Sequence, residues 1–269
     1  MPAAPRQPTL YIPHGGGPCF FMDWNPPGTW DRMADFLRGL LATLPARPRA
    51  ILVVSGHWLA PRFTVGTAAA PTLIYDYHGF PRHTYRLTFP ARGEPTLGAT
   101  VARLLAGAGL PAAQDAARGW DHGVFIPLML VAPDADIPVL QLSLRGDLDA
   151  QAHLDAGRAL APLRDDGVLI VGSGMSFHNM RGYGDARFGP VSDRFDAWLG
   201  AAVEAAPGVR ATRLAAWSEA PDARLAHPPR AEEHLLPLMV AAGAAPAGAG
   251  RRIFSDRVME TTVSAFRFD

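Results

Sequence analysis

The chain has 269 residues with 25 basic and 25 acidic side chains, nine His and one Cys, and every basic residue is Arg. Without Lys there is no Schiff-base chemistry and no lysine-containing phosphate loop; a single Cys excludes an internal disulfide, a Cys-ligated zinc knuckle and an iron–sulfur cluster. Zero net charge gives no global attraction to nucleic acid or an anionic membrane.

Taken in chain order, Thr9 to Pro13 (TLYIP) reads as a strand that ends at His14. Thr29 is placed to cap a helix running to Leu44, with Trp30, Met33, Phe36, Leu37, Leu40, Leu41 and Leu44 at helical spacing. Ala50 to Ser55 (AILVVS) is a continuous apolar run that ends at Gly56-His57, as expected for a strand covered on both faces. A helix over about 95–106 and a short extended piece near Ala112 follow, then an apolar helix over 123–130 after Asp121-His122. Ile137 to Leu144 and Val168 to Val171 read as strands separated by a helix over about 149–163. Helices are expected over 191–205 and 231–242, and a terminal strand over 260–266. No linker, low-complexity run or internal repeat interrupts this pattern. The expected fold is one α/β domain over residues 1–269, with a mostly parallel central sheet flanked by helices. No signal peptide or membrane span is expected, which points to a soluble cytoplasmic chain, either a monomer or a small homo-oligomer.

The histidines carry the chemistry. Open α/β sheets bind ligands beyond the carboxyl ends of their strands. His14 follows the first strand, His57 follows AILVVS, and His178 follows VLIV within Gly172-Ser173-Gly174-Met175-Ser176-Phe177-His178. Parallel strands bring such ends to one edge, so these imidazoles can converge. His122, in Asp121-His122-Gly123, and His234, in Glu233-His234-Leu235-Leu236-Pro237, are further candidates. Imidazole suits zinc and iron, three protein ligands leave positions open for reaction, and a leftover His can serve as acid or base.

Blander readings apply elsewhere. His78 and His83 sit in or beside an aromatic, Pro-broken stretch, Tyr75-Asp76-Tyr77-His78-Gly79-Phe80-Pro81, that can line a pocket. His153 is expected solvated on its helix, and His227 in a loop before two prolines. Cys19 reads as a small buried residue. Glu232 and Glu233 are expected to open a helix, where carboxylates suit the dipole. The serine of Gly172-Ser173-Gly174 lacks the glycine spacing of a hydrolase elbow. Read from the residues alone, a zinc hydrolase with His122 or Glu233 as base uses the same cluster.

As an ordered set these pieces resemble the DOPA-dioxygenase type of class III extradiol ring-opening dioxygenases, the LigB-like superfamily. The pieces are Tyr11-Ile12-Pro13-His14-Gly15, Val53-Val54-Ser55-Gly56-His57-Trp58, Tyr75-Asp76-Tyr77-His78-Gly79-Phe80-Pro81, Trp120-Asp121-His122-Gly123, Ala135-Asp136-Ile137-Pro138-Val139-Leu140-Gln141-Leu142-Ser143, Val171-Gly172-Ser173-Gly174 leading to His178-Asn179, and Glu233-His234-Leu235-Leu236-Pro237-Leu238. The resemblance implies a metal at the strand ends held by His14, His57 and His234. It implies His178 beside the metal as a fourth ligand or a base, and His122 as an acid/base lining the pocket. Glu233 is a further candidate for the metal shell. It implies Fe(II) for activity, with Zn(II) as a possible bound metal, and a catechol-type substrate opened by dioxygen to a muconic semialdehyde. The superfamily also includes a non-enzymatic binding member. Two departures stand out: His14-Gly15-Gly16-Gly17-Pro18 replaces the frequent His-Gly-Ser-Pro-Met, and Phe177-His178-Asn179-Met180-Arg181 replaces the His-Pro-x-x-x-Thr-Pro of plant members, which speaks against DOPA as substrate. Trp58, Tyr77, Phe80 and Phe125 are candidates for an apolar wall, and Arg62, Arg82 and Arg181 for a substrate carboxylate.

Overall fold

The computed structural model describes residues 5–269. Its elements in chain order are β1 (Thr9–Pro13), α1 (Asp31–Gly39), β2 (Ala50–Ala60), β3 (Thr64–Gly66), α2 (Pro95–Gly107), β4 (Ala113–Asp115), α3 (His122–Val131) and β5 (Val139–Arg145). Then come α4 (Ala150–Leu160), β6 (Val168–Gly174), α5 (Gly189–Val203), α6 (Pro207–Ala215), α7 (Ala223–Ala226), α8 (Leu236–Gly243), β7 (Gly250–Val258) and β8 (Thr261–Phe268).

All eight strands join one sheet in the order β4-β3-β5-β2-β6-β1-β8-β7. The core is parallel: β2 pairs with β5 on one side and β6 on the other, and β6 pairs with β1. The edge hairpin β7–β8 runs antiparallel. The unbroken apolar runs of β2 and β6 follow from this placement, since helices cover both faces of the central strands. Along β6, Gly172 lies against the Pro237 carbonyl of α8, while the next side chain, Ser173, donates to the carbonyl of Gly123 in α3. Neighbouring residues of a strand face opposite ways, so α8 and α3 cover opposite faces of the sheet. Among the described residues, no helix is long and apolar enough to cross a membrane.

The structure departs from the sequence expectation at several boundaries. The first helix starts at Asp31, and its last turn tightens into a 3-10 segment, Leu40–Thr43. Thr29 does not cap it; its hydroxyl donates to the Pro26 carbonyl. The strand AILVVS does not end before His57 but continues to Ala60. Its pairing with β5 jumps from Val54↔Leu142 to Leu59↔Leu144, so the stretch around His57 bulges out of register. The helix expected from Ala231 begins at Leu236, because Pro237 is set at a helix start and the preceding residues form a turn. Two helices, α6 and α7, and two strands, β3 and β7, were not expected. The β7–β8 turn is made by Met259 and Glu260, both at positive φ (46° and 70°), where Asn-Gly would have signalled a hairpin.

Candidate metal centre

Strands β2, β6 and β1 are neighbours and parallel, so their carboxyl ends share one edge of the sheet. His14 follows β1 directly, His57 sits in the bulge of β2, and His122 is the first residue of α3. His178 lies in the loop after β6, and His234 in the turn before α8. That turn is stitched onto the sheet: the His234 carbonyl accepts from the Met175 amide (3.2 Å) and the Tyr11 hydroxyl (2.7 Å). A side chain at position 174 would place its Cβ 2.0 Å from that carbonyl, so only glycine permits the approach.

Three ring nitrogens converge. The Nε2 of His57 stands 3.1 Å from Nε2 of His14 and 3.1 Å from Nε2 of His234. Outer partners fix which nitrogen carries the proton. The Ser173 hydroxyl donates to the Gly123 carbonyl, so its oxygen accepts from His14 Nδ1–H at 3.0 Å. His234 Nδ1–H donates to Glu233 Oε1 at 3.0 Å, and His57 Nδ1 faces Asp76 Oδ2 at 3.6 Å. Each arrangement leaves a lone pair on Nε2, aimed at the shared centre. Three lone pairs at such separations repel one another, whereas a cation between them coordinates all three.

The donor set fits a metal. Two nitrogens about 2.1 Å from one ion and 3.1 Å apart subtend roughly 95°, the corner angle of an octahedron. A metal held by three protein ligands would keep other positions open for reactants. Burial, reinforced by the neighbouring imidazoles, holds His14 and His234 well below the ordinary histidine range. Burial and His122 lower His57 to about 3. These rings are therefore neutral at pH 7, so a metal binding at the facing nitrogens would have no proton to displace.

Two further imidazoles flank the trio. The His122 ring lies 3.8 Å from that of His57 between centroids, and Asp76 Oδ1 accepts from both its Nδ1–H (2.8 Å) and its backbone N–H (3.0 Å). The His178 ring stacks on His234 at 3.4 Å, with planes 15° apart. Its Nδ1 is buried without a hydrogen bond and stands 3.5 Å from Glu233 Oε1. Burial, then His122, lowers His178 to about 4. The stacking turns the face of the His178 ring, not its nitrogen edge, towards His234.

The carboxylates differ in their balance. Burial pushes Asp76 upward, but the hydrogen bonds and charge of His122 outweigh it and hold the carboxyl below its usual range. Burial raises Glu233, helped by the adjacent Glu232. Asp121, directly before His122, is not a metal-facing group. It is fully buried, raised by that burial, and accepts from Ser55 (2.7 Å), Gln141 and Arg118 (3.2 Å). Ser55 in turn accepts from the His57 amide (3.1 Å), so the network props the bulge that presents His57.

A cavity of about 510 Å³ opens onto these imidazoles. Tyr77 and Phe80 line it, as expected, together with Trp24, Trp30 and Tyr183. Trp58 and Phe125 do not: Trp58 packs under the Arg118 guanidinium at 4.7 Å, and Phe125 is buried against Tyr75 and Tyr77. Arg62, Arg82 and Arg181 are exposed and do not line the cavity. His78 is on its rim, whereas His83 binds the Phe21 carbonyl. His153, expected solvated, is wholly buried, as is His227. Cys19 is buried beneath Gly15, where burial pushes its thiol far up. Glu232 pairs with Arg224. Glu233, expected to serve a helix dipole, instead holds His234. The position of Asp76 was visible in its motif, but its role was not, because the partner lies 46 residues away.

Parallel strands ending at a cluster of imidazoles, with an aromatic cavity above, form a site that could hold a metal ion. The description "Catalytic LigB subunit of aromatic ring-opening dioxygenase" matches residues 8–266, and the chain belongs to that family. It is 39% identical over 261 residues to the dioxygenase tasH of Hapsidospora irregularis, covering 88% of this chain and 78% of that one. It is 42% identical to a 4,5-DOPA dioxygenase extradiol of Beta vulgaris, covering 74% of each, and 35% identical to one of Escherichia coli (89% and 85%). A crystal structure of an uncharacterized protein of Escherichia coli K12 superposes with a TM-score of 0.78 at 29% identity, covering 98% of this chain and all of that one.

Proposed function

We propose that the chain is a non-haem Fe(II)-dependent extradiol dioxygenase that opens a catechol with dioxygen to a muconic semialdehyde, with His14, His57 and His234 as metal ligands. The observation that supports it is the pair of 3.1 Å Nε2–Nε2 separations below an aromatic cavity, in a member of the LigB family. Held by His14, His57 and His234, Fe(II) would supply the electron transfer that lets dioxygen react with a catechol. Catechol plus O2 gives the open-chain product with both oxygen atoms retained, so no further reductant is consumed.

His178 takes a catechol proton. It is neutral at pH 7; its Nδ1 is buried against the Glu233 carboxylate 3.5 Å away, so the proton arrives at Nε2 and the imidazolium that forms is paired with that carboxylate. His178 is therefore a base beside the metal rather than a fourth ligand, given its stacking on His234. His122 keeps Nδ1–H on Asp76, which leaves Nε2 as the nitrogen that exchanges a proton with the oxygen atoms during ring opening. Its position on the other flank, over His57, separates acid from base. Tyr77 and Phe80 keep the ring out of water.

The test is anaerobic loading with Fe(II), then addition of oxygen and a catechol panel, followed by absorbance of the yellow ring-opened product and by oxygen uptake. Stoichiometric uptake with product is expected. A metal-loaded protein that leaves every catechol intact, or a zinc-loaded protein with oxygen-independent hydrolysis, overturns the reading.

A further inference from the structure

The cavity carries information about what surrounds the catechol ring. A bare catechol fills only part of about 510 Å³, a volume within the range of pockets that enclose drug-sized molecules. The substrate therefore carries a substituent, and the walls define its chemistry. Beyond the imidazole cluster, Asp76 and His78, no charged residue and no Asn, Gln, Ser or Thr lines the cavity among the described residues. Its remaining walls are aromatic rings, Met175, Met180, Met259 and three glycines.

The polar handles of those rings are already committed. The Tyr77 hydroxyl donates to the Thr84 carbonyl (2.7 Å), that of Tyr183 to Phe177 (2.7 Å), and the Trp24 indole N–H to Cys19 (2.8 Å). The Trp30 indole N–H is buried without a partner, and it is neutral and supplies one hydrogen bond. Asp76 is occupied by both donors of His122 and would repel an anion. His78 is exposed at the rim, where water screens it. An adjoining depression shares Trp24 and Met259 with the cavity and contains Arg257. That guanidinium is spent on both oxygens of Asp193 (2.7 Å each) and the Glu260 carbonyl (2.8 Å).

A second observation is independent of the lining. Met180 is the most exposed large hydrophobic among the described residues, at 70%, and it stands at the cavity. An unbranched, polarisable side chain left in water beside an aromatic cavity suits an apolar guest that covers it.

We infer that the substrate is a catechol with an uncharged, apolar substituent, and that the aromatic and methionine walls discriminate against catechols bearing a carboxylate or an amino-acid side chain. This rests on the ring-opening reading for the reaction, but the discrimination itself is a binding property. A charged substituent loses its hydration on entering and finds no countercharge, whereas an alkyl or aryl group loses nothing and buries itself. The relatives named for DOPA act on a zwitterionic substituent by that name, so a different wall chemistry is expected here.

The experiment uses three ligands of similar length: 4-propylcatechol, 3,4-dihydroxyphenylpropionate and DOPA. Dissociation constants are measured anaerobically on the metal-loaded protein by tryptophan fluorescence, and kcat/KM is then measured in air. Propylcatechol is expected to bind at least 30-fold tighter than either charged ligand. The same ratios are measured on Met180→Arg, where the added guanidinium at the mouth should narrow the preference over the propionate at least fivefold. Equal affinities within threefold, or a tighter charged ligand, overturn the inference. The preference in binding without turnover of any ligand sinks the ring-opening reading and leaves the inference standing.

Discussion

Asp76 and Glu233 each serve two imidazoles, one of the converging trio and one flanking ring, yet they divide the work oppositely. Asp76 grips the flanking ring, His122, at 2.8 Å and faces His57 loosely at 3.6 Å. Glu233 grips His234 at 3.0 Å and faces the flanking His178 loosely at 3.5 Å. Asp76 is held below its usual pKa by the donors of His122, while burial raises Glu233. The close anion fixes the His122 tautomer with its proton on Nδ1, which leaves Nε2 without one. His178 has no such anchor, since its Nδ1 makes no hydrogen bond. The contrast shows how one cluster holds its two flanking imidazoles differently, one fixed by a close carboxylate and one without a hydrogen bond at Nδ1.

His57 belongs to both arms, since it faces Asp76 and stands between His14 and His234. Its removal is the largest perturbation. His57→Ala is expected to lower bound metal below one tenth per chain and to abolish activity, read by metal analysis after dialysis. Full metal retention would break the ligand set. Next in size is Asp76→Asn, which should lower kcat about 100-fold while metal affinity changes less than tenfold, because outer partners typically account for 10- to 100-fold. Glu233→Gln should act the other way round, with metal affinity falling about tenfold and kcat changing less. If both variants move the same parameter by the same factor, the two arms are not distinct.

Much of this arrangement was legible in the sequence, and the exceptions share a cause. His14, His57 and His178 could be placed because each follows an apolar run, and parallel strands carry run ends to one edge. The convergence of His234 was not readable from spacing, because the turn bearing it is pinned by Tyr11 and Met175, far away in the chain. The helix before it was drawn too early for the same reason: the 231–235 stretch is polar-to-apolar like a helix start, and tertiary bonds held it as a turn. The bulge at His57 leaves no local mark either, since it depends on pairing with β5. The hairpin β7–β8 was half seen, because an arginine-rich edge strand lacks an apolar signature and a Met-Glu turn lacks the usual residues. Local patterning thus gave the scaffold, while long-range contacts set the outer partners of the metal ligands.

The smallest expected effect isolates burial from carboxylate pairing. His153 is a buried imidazole with no carboxylate bonded to it: Nδ1–H donates to the Asp149 carbonyl (2.7 Å), and Nε2 accepts the Arg145 amide (3.1 Å). Burial lowers it to about 4, as for His178, so a depressed pKa alone does not mark a site residue. The consequence is a stability effect with a definite sign. The folded pKa lies below the unfolded value of about 6.5, so the neutral ring contributes its full stability above pH 6.5, and that contribution is lost as pH falls towards 4. The whole shift corresponds to about 3 kcal/mol at about 1.4 kcal/mol per unit. In His153→Gln that proton-linked loss is removed, whatever the constant cost of the substitution. Urea unfolding of both proteins between pH 7 and pH 4 should therefore show their stability difference moving by about 3 kcal/mol in favour of the variant. A difference that stays constant with pH would mean that the His153 ring is already open to protons in the folded state, and the kinship drawn here between His153 and His178 would fall.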